Sequence, residues 1–184
     1  MKKLLLTLAF GLGIVASHAQ GTVTFANAAS SAITNISVAG PPYPRATVTV
    51  GLYGSTATNL ANASSLSLIG AVGNTFTPGL FSLGTRTING IAAGDSVTLQ
   101  VRAWSGAFAT YEAAAASAVA DGVTLVGVSS FWVQPTGGGI IATPPITGAG
   151  RLTTFNVTTA IPEPSSIALG VLGLGAIAFF RRKK

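Results

Sequence analysis

The chain of 184 residues contains no cysteine and a single histidine, His18, which stands among its first twenty residues. Without thiols there is no disulfide, no thiolate nucleophile and no lipobox cysteine to acylate. With no imidazole beyond His18, serine triads and ordinary zinc sites lack a key member over the rest of the chain. Charge is also scarce, since only 8% of the residues are Asp, Glu, Lys or Arg. The formal charge of +6 would suggest a nucleic-acid or anionic partner, but most of the cations lie in the two ends. Between residues 20 and 161 four arginines, Arg45, Arg86, Arg102 and Arg151, stand against Asp95, Glu112 and Asp121. A nearly neutral body has no basic patch to release counterions, so no nucleic acid is expected as a partner.

The remaining chemistry is thin. A glycosidase needs two carboxylates, and three are available, but Asp95 and Asp121 fall in Gly-Asp and Asp-Gly turns and Glu112 opens a helix. Gly127-Val128-Ser129-Ser130-Phe131 begins like a nucleophile elbow but lacks its closing glycine. Asp121 has no run of neighbouring oxygen ligands for calcium. The body is therefore expected to be no enzyme and to need no cofactor or metal.

What is present is concentrated at the ends. Lys2-Lys3, an apolar stretch over 4–15 and the small-residue region Ala16-Ser17-His18-Ala19 have the three regions of a secretory signal peptide. Residues 1–19 are expected to be removed by signal peptidase, with the cut between Ala19 and Gln20. At the other end, Pro162-Glu163-Pro164 is followed by Ser165-Ser166, an apolar run over 167–180 and the tail Arg181-Arg182-Lys183-Lys184. Proline fixes φ and lacks a donor, so Glu163 is held extended where an enzyme can read it. The apolar run has no polar face, unlike a core helix. At about 1.5 Å per residue it covers only about 21 Å of a hydrocarbon core of about 30 Å. Adding Ser165 and Ser166 and letting the basic stems snorkel recovers part of the difference. A transmembrane helix is expected over 165–180, with Arg181, Arg182, Lys183 and Lys184 as a cytoplasmic stop.

Residues 161–184 resemble the PEP-CTERM sorting signal of exported bacterial proteins, the substrates of membrane enzymes called exosortases. The resemblance implies an exosortase as a transient partner acting near Pro162, Glu163 and Pro164. It also implies a pause in the inner membrane, then delivery to the cell surface or outside the cell, and an association with exopolysaccharide-producing bacteria.

The body between the targeting ends, residues 20–160, is long enough for one domain. Period-2 alternation marks strands over 21–27, 46–53 and 96–104. The third has Val97, Leu99, Val101 and Ala103 on one face and Thr98, Gln100, Arg102 and Trp104 on the other. Its unbroken apolar face predicts a central strand. Weaker strands are expected over 32–38, in the 66–72 run, near Phe76 and Phe81 and over 152–158. One helix is expected over 110–120, capped by Thr110, with Glu112 in its first turn and Gly122 as its stop. Residues 134–150, rich in Gly and Pro, read as a long, mobile surface loop. Short strands with turn signals and one short helix predict a mainly β fold, an antiparallel β-sandwich with a jelly roll as the near alternative.

Two roles remain for this body: a structural or matrix protein at the cell surface, or a module that binds exopolysaccharide. For the second, Trp104, Tyr111 and Trp132 could offer flat faces to pyranose rings. Packing in the core or its rim is the competing role for these rings and the preferred one.

Overall fold

The computed structural model describes residues 20–35, 48–58, 65–76 and 79–159. The expected signal peptide over 1–19 and the sorting signal over 161–184, with its helix over 165–180, lie outside the described residues.

The chain is mainly β. Its strands are β1 (Gln20–Ala26), β2 (Ile33–Asn35), β3 (Thr49–Ser55), β4 (Ser67–Leu68), β5 (Gly73–Asn74), β6 (Ser82–Ala92) and β7 (Ser96–Trp104). After helix α1 (Tyr111–Asp121) come β8 (Leu125–Val128), β9 (Trp132–Pro135) and β10 (Phe155–Thr159). A ribbon of β1 and β6 lies apart from an eight-stranded sheet of order β2-β10-β8-β7-β3-β4, in which β5 adds to β3 and β9 to β7. The pairing is antiparallel except between β2 and β10, which run parallel, so the expected all-antiparallel arrangement holds for every pair but that one.

The ribbon and the sheet share one core. Val23 and Phe25 of β1 and Ile88 and Ile91 of β6 join Val50 and Leu52 of β3, Val97, Leu99 and Val101 of β7, and Phe155 and Val157 of β10. Strand β7 is central, as its sequence predicts, with β3 on one side and β8 and β9 on the other. Its second face is not solvated, however: Thr98, Gln100, Arg102 and Trp104 are all buried. There α1 and its flanking loops close a second, smaller core around Tyr53, Leu66, Trp104 and Ala114.

Two sequence expectations need correction. Residues 82–92 form the longest strand among the described residues, not a short segment around Phe81. Only Ile88 and Ile91 in it are buried, and Gly84 and Gly90, both at positive φ, fall where its pairing with β1 slips out of register. Bulges of this kind hide the alternation on which strand recognition depends. Residues 134–150 are likewise no free surface loop. Gln134, Thr136 and Ile146 are buried, Gly137 exchanges both backbone hydrogen bonds with Thr22, and Thr24 donates to Pro144. A Cβ on Gly137 would lie 2.4 Å from the Ala142 carbonyl oxygen, so that glycine serves close backbone approach.

The helix follows its local signals. Thr110 caps it by accepting from the Ala113 N–H at 3.3 Å, and Gly122 ends it in the left-handed conformation with its N–H on the Ala118 carbonyl. The buried residues Ala114 and Ala118 are four apart, one helical turn, and give the helix its narrow apolar seam.

Candidate functional site

The second face of β7 holds the one ion pair among the described residues, between Arg102 and Glu112. The Arg102 side chain is 6% exposed and that of Glu112 60%. The guanidinium carbon lies 4.1 Å from the centre of the Tyr53 ring and 5.3 Å from that of Tyr111, so the cation sits against two aromatic faces. Arg102 Nε donates to Gln100 Oε1 at 2.9 Å. The Tyr53 hydroxyl donates to Glu112 Oε2 and accepts the Tyr111 N–H, both at 3.1 Å. Trp104 Nε1–H donates to the Phe108 carbonyl at 3.0 Å, and its ring meets Tyr111 edge-on.

These contacts clamp the first turn of α1 to β3 and β7. Burial pushes the Tyr53 hydroxyl up, with the Tyr111 N–H opposing and Glu112 adding to the rise. Burial likewise raises Tyr111 against the pull of Arg102. Both phenols therefore stay protonated and act as hydrogen-bonding posts. A carboxylate held by a guanidinium and a phenol is suited to fastening a helix more than to moving protons.

The remaining predicted side chains have structural surroundings. Trp104 is fully buried under α1, and Trp132 is buried with its Nε1–H donating to Gln134 Oε1 at 2.8 Å. Tyr111 is half-buried against Trp104. The three rings thus pack in the two cores and on the rim of the smaller one, and Trp104 and Trp132 turn no free face outward for a sugar. Asp121 ties off the helix end: its oxygens accept from Ser117 Oγ, the Val123 and Thr124 N–H groups and Thr124 Oγ1. The Thr124 hydroxyl, then its N–H, hold this carboxyl far below the usual range. Ser129 Oγ accepts the Val101 N–H and donates to the Ser130 carbonyl, a bracing role. Among the described residues no group of three His, Cys, Asp or Glu side chains could hold a metal, and no helix is long and apolar enough to cross a membrane.

The last described strand leads out of the body. Thr158 and Thr159 of β10 pair with Val126 and Leu125 of β8, and residue 160 follows directly. Residues 160–184 match the family model of the PEP-CTERM protein-sorting motif. The chain carries a PEP-CTERM sorting motif. No curated protein and no solved structure matches it. The motif implies an exosortase as processing partner and export with sorting to the cell envelope. Pro162, Glu163, Pro164 and the basic residues Arg181 to Lys184 all fall within the matched stretch, outside the described residues. At the other end Gln20, the first residue beyond the expected signal-peptidase cut, is the exposed first residue of β1.

One cleft opens away from the clamp. It has a volume of about 370 Å³ between β3, β4 and β6, lined by Ser55, Ser67, Ile69, Thr87 and Asn89 among others, with no charged side chain in its described wall. Sequence reading missed both this cleft and the clamp. The available signal for the clamp was Arg102 itself, because a cation within a strand buried on both faces requires a partner.

Proposed function

We propose that this is an exported, non-enzymatic protein of the cell surface or extracellular matrix. A cleaved signal peptide delivers its β-sandwich body across the inner membrane, and an exosortase then cuts it free near Pro162-Glu163-Pro164. The observation that carries this reading is the sorting motif joined without a spacer to the last strand of a folded β body. The body's neutral charge, its lack of thiol and imidazole, and the fastening roles of Glu112 and Asp121 support a structural task over catalysis.

The discriminating variant replaces Pro162, Glu163 and Pro164 together by alanine in a host with an active exosortase. A plain single-span anchor needs only the apolar run and the cations, whereas a processed signal needs the tripeptide itself. The variant is expected to keep its C-terminal residues and accumulate in the inner membrane while the unmodified protein reaches the surface. Identical distribution of the two proteins would leave a permanent anchor instead.

A further inference from the structure

We propose that one end of the body lies on the outer surface of the membrane while the tail is uncut, making contact through Phe76, Val119 and Val123. This rests on the reading of 160–184 as a membrane-held sorting signal. It adds a docking face on the exported body and names the lipid surface as its occupant.

The register of the sheet defines that end. Thr159, where the tail begins, pairs with Leu125, the first residue of β8. Val123 lies two residues before Leu125, and the last turn of α1, with Val119, leads into it through Gly122. The Leu125 carbonyl accepts the N–H of Ser105, which follows the end of β7. Trp104 of β7 pairs with Thr49, Thr49 pairs with Asn74, and the Thr75 N–H donates to the Val48 carbonyl, so Phe76 is at the same end. From β10 to β5 is four strand spacings, roughly 19 Å. Across this width Phe76 is 70% exposed, Val119 61% and Val123 69%.

The tether decides what faces this end. From Thr159 to Ile167, where the apolar run starts, eight residue steps span at most about 29 Å even when fully extended. The polar interface beyond the hydrocarbon is about 6 Å deep on each side. The body therefore cannot leave the membrane's neighbourhood, and the exit end is the part held nearest to it. Tethering turns docking into an intramolecular event at high effective concentration, so three apolar side chains suffice where they would fail for a free protein. Asp121 also sits at this end with its oxygens occupied by Ser117, Val123 and Thr124; it keeps its negative charge, so the apolar side chains supply the contact while this carboxylate stays at the level of the headgroups. When the tail is cut, the same patch is too small to hold the body, and the docked protein is released.

The absence of cysteine allows single reporters to be introduced. The full chain is reconstituted into phosphatidylethanolamine–phosphatidylglycerol vesicles with a polarity-sensitive fluorophore on Val123→Cys, Ile140→Cys or Leu172→Cys. Each is quenched with a lipid spin-labelled at its headgroup or upper acyl chain. Ile140 is more exposed than Val123 but neighbours Ile141, which lies against Gly94 in the turn before β7 at the opposite end of the sheet. The expected result is strong quenching at Leu172→Cys and Val123→Cys and none at Ile140→Cys. Adding Phe76→Ser and Val119→Ser should abolish the quenching at Val123→Cys and leave that at Leu172→Cys unchanged. Quenching at Leu172→Cys with Val123→Cys as dark to the quencher as Ile140→Cys would overturn the docking face and leave the sorting reading standing. Equal quenching of Val123→Cys and Ile140→Cys would also overturn it. No quenching at Leu172→Cys would remove the membrane-held tail and the inference with it.

Discussion

The two faces of β7 are both buried, but by different physics. Toward the ribbon stand Val97, Leu99, Val101 and Ala103, in an apolar core that gains from the area it removes from water. Toward α1 stand Thr98, Gln100, Arg102 and Trp104, which are buried only because each polar group there meets a partner. The first face tolerates any apolar residue of the right volume. The second depends on particular pairs that reach across elements, and it sets where the helix sits. Losses on the first face should therefore scale with volume, and losses on the second with which partner is left behind.

Urea unfolding of the mature protein tests this contrast. The largest effects are expected from truncation in either core: Leu99→Ala should cost about 2–5 kcal/mol, and Trp104→Ala about 3–5 kcal/mol with loss of the edge contact to Tyr111. A smaller and asymmetric effect belongs to the clamp. Glu112→Ala leaves a buried guanidinium without its counter-charge and should cost about 1 kcal/mol, since the carboxylate it removes is largely solvated. Arg102→Met leaves Glu112 free in water but also strips the buried Gln100 Oε1 of its donor, and should cost more than Glu112→Ala. If the two cost the same, the bond to Gln100 adds nothing to the clamp.

On the ribbon side, Gln134 tests the apolar rule at a buried polar side chain. Its Nε2 is buried without a partner while its Oε1 serves Trp132. Gln134→Leu exchanges one orphaned donor for another and should be nearly neutral. The double variant with Trp132→Phe removes both orphans and should recover about 1 kcal/mol relative to Trp132→Phe alone.

The smallest effects are in pH dependence. Asp121 has a lowered pKa in the folded protein, so its stabilising contribution is complete above about pH 4 and is lost as pH falls below that. Asp121→Asn should flatten the acid limb of the stability curve by lowering stability near neutrality, the two proteins converging as pH falls. Tyr53 and Tyr111 are raised, so their contribution is complete below about pH 10 and is lost as pH rises beyond it. Tyr53→Phe should weaken that alkaline loss.

The parts of this fold that were legible in sequence are those with local causes. The helix was readable because Thr110, Glu112 and Gly122 act within a few residues of one another, and β7 because its apolar alternation is unbroken. Strand β6 was not, since its partner β1 lies sixty residues upstream and its bulges interrupt the period. Glycines and prolines over 134–150 suggested mobility, yet there they permit a backbone to lie against β1. The clamp was hidden for the same reason: Tyr53 is 59 residues from Glu112, and only the folded sheet brings them together. The sorting motif was fully legible because it is linear, with order along the chain as its whole signal.

The central claim is that the tail is a signal read and then removed. Mass spectrometry of the surface-exposed protein from a host with an active exosortase tests it most directly. The expected species begins at Gln20 and ends close to Glu163, lacking everything from about Pro164 onward. An intact Lys184 on surface-exposed protein would contradict processing at the motif and leave a permanently anchored single-span protein.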